Sequence, residues 1–112
     1  MNWVTDSLGT ASFYEQSGDF FVVDVRDLVD GKGNSGAMLK EKIMIAAEAL
    51  DRNNKVVVCC DRGLSRSKAI AVGVLMHCGV SYEESLKTVA AEVGAGAMNL
   101  DLLHEVRQLD FE

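Results

Sequence analysis

Two apolar runs predict buried strands. Residues 20–25, Phe-Phe-Val-Val-Asp-Val, and residues 56–60, Val-Val-Val-Cys-Cys, are rich in β-branched and aromatic side chains. Because the first run does not alternate between apolar and polar positions, we expect a central strand that is covered on both faces. Residues 2–9 fit a short edge strand, with Trp3 and Leu8 facing inward.

Helical periodicity dominates the rest of the chain. After a glycine- and asparagine-rich loop over residues 27–35, Ser35 can cap a helix over about 36–51, which places Leu39 and Ile43 on one face. An almost wholly apolar helix, expected to be buried, follows over 66–78. Further helices are predicted from Ser81 to near Gly94 and from Asn99 to about Leu109, and one or two helical turns over 11–16.

The order of these elements indicates an α/β fold. A strand, a helix and a second strand, over residues 20–60, form a crossover unit with parallel strands. We therefore expect a single three-layer domain over residues 1–112, with a small, mostly parallel central sheet flanked by helices. In such sheets ligands bind at the carboxyl ends of the strands, and residue 60 ends a strand.

Composition narrows the possible partners and compartments. The chain is 48% apolar and 25% charged, as in ordinary globular proteins, and its net charge of −6 argues against nucleic acid as a partner. No apolar run reaches bilayer length, and the first residues lack a basic segment, so we expect no membrane association. Three cysteines, an odd number, fit reduced thiols and a cytoplasmic location better than a disulfide framework.

The segment from Cys60 to Ser67 carries the candidate chemistry. A strand leads into Cys60, a loop with Gly63 follows, and Arg66 and Ser67 open the next helix. Successive backbone amides of such a loop can form an anion-binding nest, and the helix adds the positive end of its dipole. Arg66 can donate two parallel hydrogen bonds to phosphate oxygens. This field also favours the thiolate of Cys60.

A cysteine at a strand end is more often a buried structural residue than a nucleophile. Arg66 argues for the nucleophile, because the dipole at a helix start favours an acidic residue and an arginine there calls for an anion. Ser67 can donate its hydroxyl to the Cys60 sulfur or help to cap the helix, and the sequence leaves both roles open.

The segment resembles the C-x5-R signature of the cysteine-dependent protein phosphatases, and residues 63–67, Gly-Leu-Ser-Arg-Ser, are similar to the G-x-S-R-S ending of the dual-specificity phosphatases. The apolar helix from Ala69, residues 80–86 and the helix that begins at Asn99 also resemble that family. Cys59 departs from its pattern, since the family has a histidine before the nucleophile. Cysteine is a weaker donor than histidine and cannot order the loop in the same way.

The resemblance implies a phosphatase that acts on phosphotyrosine and also on phosphoserine or phosphothreonine, through a cysteinyl-phosphate intermediate. Its partner would be a phosphorylated protein or another phosphomonoester. Cys60 would be the nucleophile, and Ser67 would ease the later departure of its thiolate. The phosphate would bind to the loop that comprises Asp61, Arg62, Gly63, Leu64, Ser65 and Arg66. No cofactor is implied, and with two histidines and no metal-like spacing we expect no metal site.

The resemblance also implies a general acid. The family places an aspartate about thirty residues before the nucleophile, and Asp24, Asp27 and Asp30 are candidates. Asp27 follows the predicted strand at the spacing closest to that of the family, so we favour it. Asp24 lies within the strand pattern, and Asp30 can be a turn residue before Gly31.

Two other functions remain open. Residues 23–26, Val-Asp-Val-Arg, look like the opening strand of a rhodanese-like sulfurtransferase, although such loops usually have one residue fewer between cysteine and arginine. A non-catalytic phosphate-binding module is the second alternative. For a phosphatase, the few residues available for pocket walls predict a shallow site that discriminates weakly between phosphorylated residues.

Overall fold

The computed structural model describes residues 1–13, 18–62, 65–94, 96 and 98–111. Four strands and four helices lie within these ranges. In chain order they are β1 (Asn2–Trp3), β2 (Leu8–Ser12), β3 (Phe21–Asp24), α1 (Gly36–Asp51), β4 (Val56–Cys60), α2 (Arg66–His77), α3 (Tyr82–Val93) and α4 (Leu100–Arg107). The predicted fold class is confirmed: a small, mostly parallel sheet is combined with helices.

The sheet has the strand order β1-β2-β4-β3, in which β2, β4 and β3 are parallel and β1 is antiparallel to β2. All five residues of β4 are buried, and this strand is paired on both edges. Parallel pairing brings the carboxyl ends of three strands to one edge of the sheet. Ser12, Asp24 and Cys60, the last residues of these strands, therefore lie along that edge.

The prediction of a central strand over residues 20–25 was wrong. β3 pairs with β4 alone, at the border of the sheet, and Phe21 and Val22 are 40% and 38% exposed. Val23, within the strand, and Val25, just after it, are buried. The strand is therefore covered on one face, and only towards its carboxyl end. An uninterrupted apolar run shows that a strand is hydrophobic. Whether that strand is central or at the edge of the sheet depends on which other strands pair with it.

The N-terminal prediction also needs correction. Residues 2–9 form no single strand, because β1 turns back to pair with β2 in a hairpin. Thr5 closes the turn, since its Oγ1 accepts hydrogen bonds from the amides of Ser7 and Leu8 at 3.2 and 3.0 Å. Ala11 and Ser12 extend β2 instead of starting the helix predicted over 11–16. Residues 14–16 of that helix lie outside the described residues.

The other three described helices, α1, α3 and α4, pack against α2, which is buried almost throughout as its sequence predicts. Their boundaries follow the predicted caps. The side chains of Ser35, Ser81 and Asn99 accept hydrogen bonds from amides in the first turns of α1, α3 and α4. Gly79 follows the end of α2 with a φ of 95°, a conformation that favours glycine.

The two faces of the sheet are covered differently. Alternate residues of β4 point to opposite faces, and Val56, Val58 and Cys60 join the core formed with the helices. On the other face, Trp3 packs on Gly9 and contacts Phe20 edge to face, with ring centroids 5.4 Å apart. The side chains described on this face therefore include Trp3 and Phe20, from the N-terminal part of the chain.

Candidate active site

Cys60 ends the central strand and is 2% exposed. Its Sγ lies 3.5 Å from Oγ of Ser67, which is fully buried in the first turn of α2. The sequence predicts this pair, and the structure brings the two side chains together. A hydroxyl at this distance can donate a hydrogen bond to a thiolate and stabilise its charge.

Ser65 connects the cysteine loop, residues 60–66, with two distant segments. It is the N-cap residue of α2, yet its side chain makes no capping hydrogen bond. Instead, its hydroxyl donates to Oδ1 of Asp30 at 2.6 Å and accepts from the amide of Asn99 at 2.9 Å. These contacts fix the last turn of the loop between the segment that follows β3 and the start of α4.

Arg66 is largely enclosed, with a side chain that is 17% exposed. Its Nη1 donates to the carbonyl oxygens of Arg26 and Leu28, at 2.7 and 3.1 Å. Its Nη2 lies 3.2 Å from Oδ2 of Asp61. The guanidinium therefore links the cysteine loop to the segment after β3, a role that its position in the sequence does not reveal.

That segment, residues 26–34, contains Asp27 and Asp30 and is called the acid loop here. It is anchored at several points. Val25 and Leu28 are buried, so the turn between them directs Arg26 and Asp27 outward. At its far end, the carboxylate of Glu105 in α4 accepts hydrogen bonds from the backbone amide of Gly33 and from the side-chain amide of Asn34, both at 3.0 Å. The acid loop is thus held against both the sheet and α4.

The three candidate acids have different surroundings. Asp24 accepts a bidentate hydrogen bond from the Arg26 guanidinium, which holds the pKa of its carboxyl below the usual value. A lowered pKa leaves this carboxyl less often protonated, which makes Asp24 less suited to donate a proton. The Asp27 carboxylate is 54% exposed and lies 3.3 Å from Nζ of Lys42, whereas Asp30 is engaged by Ser65.

A surface cavity of about 400 Å³ opens beside these groups. It is lined by Asp24, Arg26, Asp27, Lys42 and Asp61. Asp27 and Asp61, the residue that follows Cys60, therefore face a common space, while Arg62 is exposed elsewhere on the loop. Gly63 and Leu64, two of the predicted phosphate-binding residues, lie outside the described residues.

The two cysteines at the end of β4 differ in environment. As expected for neighbours on a strand, Cys59 points to the sheet face opposite Cys60, and it is fully buried there. Burial, together with the nearby Asp24 carboxylate, raises the pKa of the Cys59 thiol to about 11. Burial and the negative charge of Asp51 also raise the pKa of Cys78.

These differences predict the order in which the thiols are alkylated. At neutral pH iodoacetate should modify Cys60 first, because the loop amides and the start of α2 favour its thiolate whereas Cys59 and Cys78 remain protonated. Phosphate or vanadate should slow the reaction by occupying the site. Peptide mapping over time measures all three rates together, and faster labelling of Cys59 or Cys78 would contradict the expected activation of Cys60.

Two further features concern the described residues only. None of their helices has both the length and the apolar character required to span a bilayer. Within the same ranges, no three or more side chains of His, Cys, Asp or Glu cluster in a way that could hold a metal ion.

The chain has the fold of the dual-specificity phosphatases. No family model and no curated protein matches its sequence. The crystal structure of a mouse putative dual specificity phosphatase, complexed with zinc tungstate, matches 95% of this chain and 83% of its own, with a TM-score of 0.82 and 17% identity. Human DUSP28 matches with a TM-score of 0.83 over 96% of this chain and 93% of its own, also at 17% identity.

A more distant match is Tk-PTP in its active form, with a TM-score of 0.60 and 24% identity over 90% of this chain and 74% of its own. At these identities the likeness concerns the fold. The predicted resemblance to the dual-specificity phosphatases is confirmed at that level.

Proposed function

We propose that the protein is a cysteine-dependent phosphatase that hydrolyses phosphate monoesters through a cysteinyl-phosphate intermediate. The observation that carries the proposal is the pairing of Cys60 with Ser67 at the end of the central strand, with Sγ and Oγ 3.5 Å apart, and with Arg66 beside them at the start of α2. This arrangement lies in a fold shared with dual-specificity phosphatases.

Phosphate would bind above Cys60, at the positive end of α2. The side chain of Ser65 does not cap this helix, because its hydroxyl is committed to Asp30 and Asn99. Helix-terminal amides favour an anion, and Nη2 of Arg66 can donate a charge-assisted hydrogen bond to a phosphate oxygen. These donors should bind the transition state more strongly than the substrate, since charge shifts onto the phosphoryl oxygens during transfer.

The reaction would proceed in two displacements. The Cys60 thiolate attacks phosphorus, an S–P bond forms, and the ester P–O bond breaks as Asp27 gives its proton to the leaving oxygen. Water then attacks phosphorus, with Asp27 accepting its proton, and the S–P bond breaks. Ser67 assists this second step by donating a hydrogen bond to the departing thiolate.

Asp27 is the general acid in this mechanism, and Asp30 a positioning residue. Asp27 lines the same cavity as Asp61, whereas Asp30 accepts a hydrogen bond from the hydroxyl of Ser65. Asp27→Asn should lower kcat on an alkyl phosphate by roughly 10²-fold and on an activated aryl phosphate much less, because a basic leaving oxygen needs the proton most. It should also remove the high-pH limb of the rate profile.

Asp30→Asn is the matched comparison for that experiment. As a positioning residue, Asp30 should affect both substrates to a similar extent. If Asp30→Asn, or Asp24→Asn, instead produces the dependence on leaving group, the acid has been assigned to the wrong residue, although the two-step mechanism stands.

The proposed substrates are phosphotyrosine and also phosphoserine or phosphothreonine in proteins, acted on in the cytoplasm. The cavity beside the cysteine loop opens to the surface and is bordered by charged side chains, three of them the short side chains of Asp24, Asp27 and Asp61, which fits a site that can also reach the shorter phosphorylated side chains. Kinetics on matched phosphopeptides test this range, and strict rejection of phosphoserine and phosphothreonine would restrict the protein to phosphotyrosine.

An assay with an aryl phosphate in the presence of EDTA tests the central proposal. We expect release of inorganic phosphate, because the mechanism relies on Cys60 and not on an added metal ion. A sulfur-transfer assay on the same preparation tests the rhodanese-like alternative, and phosphopeptide binding without turnover would identify a non-catalytic module.

A further inference from the structure

We propose that Asp61 selects substrates with basic side chains beside the phosphorylated residue, and that in the free protein it occupies the position of a phosphate on Arg66. This inference rests on the proposed function, because it assigns a substrate class to the same site. It starts from the contact between the two residues, Oδ2 of Asp61 lying 3.2 Å from Nη2 of Arg66.

The two ends of the Arg66 guanidinium have different partners. Nη1 is fixed by the carbonyl oxygens of Arg26 and Leu28, so this end holds the acid loop. Nη2 contacts the carboxylate of Asp61, which is 57% exposed and directly follows the nucleophile. A phosphate that approaches Nη2 must therefore compete with a carboxylate that the loop itself provides.

The two cations that line the cavity together with Asp61 are already paired. Arg26 binds Asp24 at 2.9 Å, and Nζ of Lys42 lies 3.3 Å from the carboxylate of Asp27. When a phosphate takes Nη2 of Arg66, the Asp61 carboxylate is left beside a dianion. A cation brought by the substrate would offset the repulsion.

A substrate can supply that cation. An Arg or Lys next to the phosphorylated residue would approach Asp61 as the phosphate enters the loop. A neighbouring Glu, Asp or second phosphate would add a further negative charge at the same place. The proposal therefore predicts preference for basic-flanked phosphopeptides and discrimination against acidic-flanked ones.

Binding measurements separate this preference from catalysis. In the Cys60→Ser background, calorimetry would compare two phosphotyrosine peptides, one with Arg and one with Glu on both sides, and inorganic phosphate. We expect the Arg-flanked peptide to bind about tenfold more tightly, the effect of one close charge pair at a partly exposed site. Adding Asp61→Asn should remove this difference and tighten the binding of inorganic phosphate by severalfold.

Glu48→Gln is the matched control. It also removes one negative charge, from an exposed position near the end of α1 that leads toward the start of β4, opposite the cysteine loop. It should leave the preference of the Cys60→Ser protein unchanged. Thermal unfolding of each variant verifies that the exposed substitutions preserve the fold.

The inference is overturned if Cys60→Ser binds the two peptides equally, if it binds neither, or if Asp61→Asn keeps the preference. Its failure is distinguishable from failure of the proposed function. A wild-type protein that releases phosphate equally well from both peptides refutes only the role of Asp61. Selective binding without turnover in the wild-type protein refutes only the phosphatase.

Discussion

Replacement of Cys60 by Ser is expected to reduce phosphatase turnover by more than about 10³-fold while phosphate binding persists. Serine preserves the size of the side chain, but its hydroxyl ionises far less readily than a thiol and is a poorer nucleophile at neutral pH. The main anion-binding groups, Arg66 and the start of α2, remain in place. Steady-state kinetics with an aryl phosphate and calorimetry with inorganic phosphate measure the two properties separately.

Cys78→Ser is the matched control for this substitution. Cys78 caps the end of α2 remote from Cys60 and is exposed, so its replacement should leave kcat within about twofold, as for ordinary surface substitutions. Near-normal turnover in Cys60→Ser would show that another group is the nucleophile. Loss of both turnover and binding would point instead to a disrupted loop.

Arg66→Lys is expected to damage activity almost as much as Arg66→Ala, with kcat/KM falling roughly 10²–10³-fold in each, the range for loss of a transition-state donor. Lysine keeps the positive charge but offers one ammonium in place of a planar fork. In this protein the two ends of the fork have different partners, because Nη1 binds the carbonyl oxygens of Arg26 and Leu28 while Nη2 contacts the Asp61 carboxylate, where we propose that phosphate binds. An ammonium cannot serve both.

Kinetics on the wild-type protein, Arg66→Lys and Arg66→Ala measure this difference directly. Arg52→Lys serves as the control, since Arg52 is exposed at the end of α1, opposite the cysteine loop, and its charge is conserved by the change. If Arg66→Lys retained most of the activity, charge alone would suffice and the two-pronged contact would be excluded.

Much of the helical structure could be predicted because its signals are local. Ser35, Ser81 and Asn99 occupy the predicted caps, and the apolar composition of α2 agrees with its central position. The order of the strands has no such local signal. The hydrophobicity of β3 predicts a central strand, yet β3 lies at the edge of the sheet. The central position belongs to β4, which pairs with β3 on one edge and with β2, from the N-terminal hairpin, on the other.

The contacts of the candidate site also divide into those that the local sequence predicts and those that it does not. Cys60 and Ser67 come together because a strand, a short loop and the start of a helix follow one another in the chain. The spacing of the two residues was therefore sufficient to predict their contact. The contacts of Ser65 with Asp30 and of Asn34 with Glu105 join residues 35 and 71 positions apart. Neither pair belongs to a motif within the sequence, and only the folded chain brings them together. The contact between Asp61 and Arg66 is local in the sequence. Its proposed role in substrate selection also depends on a long-range contact, because the carbonyl oxygens of the acid loop hold the other end of the guanidinium.

The cysteinyl-phosphate intermediate is tested most directly with Ser67→Ala. Without the hydroxyl 3.5 Å from the Cys60 sulfur, departure of the thiolate should slow and the intermediate should accumulate during turnover of an aryl phosphate. Rapid quenching and mass spectrometry of the peptides should then detect one phosphoryl group on Cys60. Turnover with no phosphoryl group on Cys60, in this variant and in the wild-type protein, would contradict the mechanism.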